Sequence, residues 1–136
     1  MTFGKFSRCV SRTAMMMALM LPLLVGCSQE EQMGTVKGKV EYNGKPYTAA
    51  AVCFLDLTSG MASSGNIEDD GTFELEPLPL GNYKVYLAPK IGDPLAEAKP
   101  VQIDNSIPSK YWNESTTDIS HEVTAGVNEV TIELKK

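Results

Sequence analysis

Hydrophobic and polar residues follow two regimes along this chain. From Ala14 to Val25 the sequence AMMMALMLPLLV is apolar throughout, and Ser28-Gln29-Glu30-Glu31 ends it abruptly. Beyond Met33 no stretch carries a helical 3.6-residue period. Short segments instead alternate or run apolar between turn residues, as strands do. Thr35 to Tyr42 alternates and places Val36, Val40 and Tyr42 on one face with Gly38 between them; Asn43-Gly44 then predicts a tight turn, reinforced by Pro46. Ala51 to Leu57 is nearly all apolar, which predicts a strand covered on both faces, with Val52 and Phe54 in the core. A strand from Met61 to Ile67 leads into Glu68-Asp69-Asp70-Gly71, a turn before Thr72-Phe73-Glu74-Leu75. Gly81-Asn82 turns into Tyr83 to Leu87, and a last pair, Ile119 to Val123 and Val127 to Leu134, is joined through Ala125-Gly126.

Seven short strands at this spacing predict an all-β fold, a single antiparallel Greek-key β-sandwich. Residues Pro89 to Lys110 fit the scheme least. They contain Pro89, Pro94, Pro100 and Pro108, and proline removes a ladder donor, so this segment is expected to be the most mobile, with one short strand near Val101-Gln102-Ile103.

The N-terminal run is too short to cross a bilayer, which takes roughly 20 apolar residues. Lys5, Arg8 and Arg12 precede it without any acid, the shape of a cleaved signal segment. Leu24-Val25-Gly26-Cys27 resembles the lipobox of bacterial lipoproteins. That resemblance implies a diacylglyceryl group on the Cys27 thiol, cleavage after Gly26, and acylation of the new amine, palmitate being the usual label. The expected organisation is a signal peptide over 1–26, a lipidated cysteine and polar tether over 27–34, and a sandwich domain over 35–136. Two or more acyl chains anchor stably where one holds marginally, so the membrane is the first expected partner. Ser28 stands where an Asp would resemble an inner-membrane retention signal. The expected location is therefore the cell envelope, at the outer membrane, facing the periplasm or the cell surface.

Composition narrows the function classes. Removing residues 1–26 leaves nine lysines, no arginine and 17 acidic residues, a net charge of −8. Nucleic acid is an unsuitable partner for such a surface, because binding it depends on a basic face. Cys9 leaves with the signal and Cys27 carries lipid, so Cys53 has no disulfide partner within the chain and stability must come from packing.

A family resemblance enters with three motifs. Val36-Lys37-Gly38-Lys39-Val40-Glu41-Tyr42-Asn43-Gly44-Lys45-Pro46 resembles the opening strand and turn of carboxypeptidase regulatory-like domains, which have a transthyretin-like (prealbumin-like) sandwich. Glu68 to Leu75 is similar to their Asp-Gly-x-Phe hairpin, and Leu78-Pro79-Leu80-Gly81-Asn82-Tyr83-Lys84-Val85 to their Gly-x-Tyr strand. Ile107 to Tyr111 and Thr124 to Asn128 resemble tail segments of small lipoproteins carrying this domain. The resemblance implies a fold and no particular activity.

Candidate chemistry is sparse. His121 is the only histidine, and catalysis or metal binding needs convergent partners, so a solvated strand-face histidine is expected. This sets the chain apart from transthyretin-like hydrolases, which use several histidines and an Arg. Glu68-Asp69-Asp70 offers clustered oxygen ligands for calcium but lacks EF-hand spacing, and Asp-Gly before a strand reads as a turn. Cys53 lies in the most apolar segment and is expected to be a buried small hydrophobe. Tyr111 and Trp112, with Tyr47, could form an aromatic platform for a sugar or peptide, or close the end of the sandwich; the structural role is favoured, with Trp112 partly buried. No metal, no cofactor and no enzymatic activity are expected. The leading expectation is a non-catalytic, lipid-anchored module, structural or protein-binding, whose envelope partner is a protein or a glycan. The alternative is a carbohydrate- or peptide-binding lipoprotein using the 89–112 loop.

Overall fold

The computed structural model describes residues 30–92 and 103–136. The signal segment and Cys27 lie outside them, as do Val101 and Gln102 of the expected short strand and residues 93–102 of the proline-rich segment. Ile103 is in no strand.

Nine strands form two sheets: β1 (Met33–Tyr42), β2 (Lys45–Pro46), β3 (Ala51–Leu55), β4 (Ala62–Asn66), β5 (Thr72–Glu74), β6 (Leu78–Pro79), β7 (Gly81–Ala88), β8 (Ser120–Val123) and β9 (Gly126–Leu134). Two of them, β2 and β6, are only two residues long, leaving the seven expected from the pattern. The first sheet is built on β1. On one edge β9 runs beside it from Gly34↔Gly126 to Tyr42↔Leu134; β6, β5 and β2 pair with it in succession on the other. The second sheet has the order β4-β3-β7-β8. The chain visits the sheets in alternating pairs, and this crossing makes it a sandwich.

Alternation explains the core. Val36 and Val40 of β1, Val52 and Phe54 of β3, Tyr83, Val85 and Leu87 of β7, and Ile132 and Leu134 of β9 are all buried. Phe54 is central, with ring centroids 6.3 Å from Phe73 and 6.4 Å from Tyr83. The Asn43-Gly44 turn has φ of 51° and 76°, the left-handed pair that a two-residue hairpin requires. Gly38 has a different reason to be glycine. A Cβ there would run into the Val130 carbonyl and lie 3.0 Å from the Phe73 ring.

Three expectations are corrected. The strand at Ala51 ends at Leu55, and it is not covered on both faces: Cys53 and Leu55 are half-buried, and Leu57 is exposed in the following turn. The last two strands are not a hairpin. β8 pairs with β7 in one sheet and β9 with β1 in the other, so Thr124-Ala125 carries the chain across the sandwich. The β1–β9 pair is also parallel, the one exception to antiparallel pairing among the described strands. Period-two alternation specifies faces but leaves the choice of neighbour open, and here the crossover made the choice.

Strand directions define two ends. At one lie the entry at Glu30 and the turns over 56–61, 76–81 and 123–127. At the other lie Asn43-Gly44, the 67–71 turn, and both described flanks of the proline-rich segment.

Candidate functional site

Both flanks of the proline-rich segment are tied down by side chains. The Asn66 carboxamide mimics a strand partner: its Nδ2 donates to the Ile91 carbonyl (2.9 Å) and its Oδ1 accepts from the Ile91 amide (2.8 Å). On the C-terminal flank, the Tyr42 hydroxyl donates to the Ser106 carbonyl (2.9 Å) and the Tyr47 hydroxyl to Asp104 (3.2 Å). Burial and the adjacent Asp104 carboxylate push the Tyr47 phenol well above its ordinary value, so it remains a donor. Tyr47 is therefore a strut for residues 103–108.

Residues Ser109–Trp112 form a 3-10 helix preceded by Pro108. Tyr111 is buried, and its hydroxyl accepts from the Lys135 amide (3.1 Å), which fastens the helix to the end of β9. Trp112 is half-buried against the core, and its Nε1 is buried with no partner among the described residues. A sugar platform would present a bare ring face and an indole N–H reaching outward. Tyr111 and Trp112 are neighbours in one short helix; Tyr47 is engaged with Asp104, and no ring of the three stacks on another in a close pair among the described residues.

His121 is not the solvated histidine expected. Its ring meets Phe54 edge-on at 6.1 Å and 75°, and its Nε2 is buried without a partner among the described residues. Burial pulls the imidazole below its ordinary value, and Glu122 offsets this in part. The correction follows from register: His121 lies opposite buried Tyr83, so it shares the inner face. Cys53 is corrected in the other direction. It lies on the outer face of its sheet, half-buried between Ser64 and Tyr86, and burial raises its thiol while hydrogen bonds to both neighbours lower it. A thiol held protonated is a poor nucleophile.

The acidic turn is a structural device. Asp70 Oδ1 accepts from the Thr72 amide (2.9 Å) and hydroxyl (2.6 Å), which holds its carboxyl below the usual range. Gly71, with φ of 84°, lets the turn close. No group of three or more His, Cys, Asp or Glu residues converges among the described residues. A shallow cleft of about 230 Å³ is lined by Glu41, Asn43, Gly44, Glu133, Leu134 and Lys135. Its charges are matched, Glu41 to Lys39 at 2.7 Å and Glu133 to Lys135 at 3.6 Å.

Asn128 stood out in the sequence only as the last residue of the Thr124–Asn128 segment, with no role expected of its side chain. Buried in β9, it accepts from the Thr124 amide and hydroxyl (both 2.9 Å) and donates to the carbonyls of Thr35 (3.2 Å), Thr124 (2.8 Å) and Gly126 (3.2 Å). One carboxamide thus shapes the sheet-to-sheet crossover and ties it to β1. An Asn four residues after a Thr, across a Gly, is the local trace it leaves.

No protein-family model matches this sequence, and no curated relative does at a significant level. Solved structures match about three quarters of the chain at low sequence identity. A DUF3823 family protein from Parabacteroides merdae is 18% identical, with 77% of this chain and 47% of that one covered and a TM-score of 0.44. BcpA, the major pilin subunit of Bacillus cereus, is 15% identical over 77% of this chain and 30% of that one, with a TM-score of 0.45. A leucine-rich repeat protein from Bacteroides thetaiotaomicron is 16% identical over 76% of this chain and 12% of that one, with a TM-score of 0.40. The chain spans less than half the length of each.

Proposed function

We propose that this protein is a non-catalytic β-sandwich module of the carboxypeptidase regulatory-like type, held at the bacterial envelope by lipid on Cys27, with a structural or protein-binding role. The observation that carries the non-catalytic reading is what each candidate group does. Asp70 closes a turn, Tyr47 and Tyr111 fasten loops, His121 packs on Phe54, and Cys53 sits half-buried between its cross-strand neighbours Ser64 and Tyr86. A group engaged in this way is poorly placed to attack or to move a proton on a bound substrate.

The anchor reading rests on Leu24-Val25-Gly26-Cys27 and the basic, acid-free segment before it. Labelled palmitate should enter the wild-type protein and not Cys27→Ala, and globomycin should leave a heavier precursor. Label persisting in Cys27→Ala overturns the anchor. For the carbohydrate- or peptide-binding alternative the decisive residue is Trp112. Loss of binding to an envelope glycan in Trp112→Ala, with an unchanged unfolding midpoint, would replace the leading reading with that one.

A further inference from the structure

Seven large apolar side chains are exposed among the described residues, and five of them gather at one end of the sandwich. Leu57 (62% exposed) and Met61 (45%) are in the β3–β4 turn, and Leu80 (39%) precedes β7. Met33 (43%) opens β1, and Val127 (64%) lies opposite Thr35, next to Met33 on the outer face. These turns belong together in space. Met33 pairs with Pro79, Gly81 faces the Asp56 carboxylate, and the Tyr83 hydroxyl donates to the Pro79 carbonyl at 2.9 Å. The other two, Ile91 and Ile103, flank residues 93–102 at the opposite end.

This is also the end at which the chain enters the domain, at Glu30. Cys27 is three residues before it, and even a fully extended tether from Cys27 to Met33 reaches only about 20 Å at ~3.3 Å per residue. We infer that these apolar turn tips rest in the interfacial layer of the bilayer that holds the lipid, so that the sandwich stands on its membrane end and presents the opposite end outward. The inference rests on the lipidation of Cys27 proposed above. The occupant is a phospholipid surface because the lipid tether leaves this end within reach of little else. The contact is apolar in character: the 56–61, 76–81 and 123–127 turns contain no Lys or Arg, while Glu30, Glu31, Asp56 and Glu76 lie at or beside them. Apolar side chains at the headgroup boundary bind in proportion to the area they bury, whereas anionic lipids reward basic clusters. The surface therefore suits zwitterionic lipid, and salt should not weaken it.

The test uses the full, processed lipoprotein in phosphatidylcholine vesicles with brominated acyl chains. Trp reporters are placed by Leu57→Trp and, separately, Leu80→Trp at the membrane end, and by Lys45→Trp at the far end, with wild-type Trp112 as the background. Quenching at 57 and 80 but not at 45, unchanged at high salt, is the expected result. With palmitate on Cys27, absent quenching at 57 and 80, or equal quenching at both ends, overturns the orientation and leaves the anchor standing. Missing palmitate removes the anchor, and this inference with it. A photocrosslink from position 57 to a protein rather than to lipid in intact envelopes likewise overturns it.

Discussion

Single residues here are decided by which face of a sheet they occupy. Phe54 has no exposure and touches Phe73, Tyr83 and His121. Its truncation removes apolar burial and leaves a cavity that the surrounding strands cannot fill. Phe54→Ala should cost about 3–5 kcal/mol in denaturant unfolding; a cost below ~1 kcal/mol would mean that the core is not centred there. His121 shares that environment and is held neutral by it. Its folded value lies below the unfolded one, so the unfolded chain binds the proton more readily as pH falls. The group then subtracts stability below the unfolded value of about 6.5, with none of the penalty above it. The His121 ring protons should titrate by NMR with a midpoint below that value. Denaturation midpoints should drop more between pH 7 and 5 in wild type than in His121→Gln. A midpoint at or above the ordinary histidine value would make His121 the solvated residue that its polar neighbours suggest.

Elements in this protein are short, and their junctions hold more of the architecture than their interiors. The crossover from β8 to β9 depends on Asn128, whose amide donates to three carbonyls while its oxygen accepts twice from Thr124. Asn128→Ala strands buried partners, at about 1–3 kcal/mol. Asn128→Asp should be at least as damaging at neutral pH and partly relieved at low pH, because an ionised carboxylate would face the Thr35, Thr124 and Gly126 carbonyls; equal stability at both pH values would count against this geometry. The β1–β9 pair makes a second demand. Gly38→Ala drives a methyl group against the Val130 carbonyl and the Phe73 ring, so the two strands must separate. A substantially lowered melting temperature is expected, where an open position would tolerate or favour the change. The hairpins were legible for a local reason, since Asn43-Gly44 and Asp70-Gly71 satisfy their own backbone geometry. The β8–β9 crossover was not, because Thr124-Ala125-Gly126 is an equally good hairpin turn when read alone.

For the molecule as a whole, four surface carboxylates held by local hydrogen bonds add a pH dependence to stability. Asp56, Asp70, Asp104 and Asp118 are each held below the ordinary range, Asp56 mainly by Ser59, Asp70 by Thr72, Asp104 by Ser106 and Asp118 by Lys110. A depressed folded value contributes stability above the unfolded value of about 3.9, and this is lost as pH falls through the folded one. Thermal unfolding should therefore show a second decline below about pH 4, distinct from the histidine step. Its absence would mean that these turn contacts do not persist in solution.

The amino-acid pattern alone indicated most of the strands, the glycine turns and core positions at Val36, Val40, Val52 and Phe54, because alternation and turn chemistry act within a few residues. It also supplied the motif at Cys27 on which the anchor proposal rests. Tertiary structure decided what depends on neighbours far along the chain. It placed β9 parallel to β1, turned His121 inward against Phe54 and Cys53 outward between Ser64 and Tyr86, and fixed both described flanks of the proline-rich segment with Asn66, Tyr42 and Tyr47. It also brought Met33, Leu57, Met61, Leu80 and Val127 to the end where the chain enters. The physical reason is common to all of these. A strand's sequence states which side chains need burial, but the surface that buries them is contributed by residues tens of positions away, and only the packed sandwich specifies which.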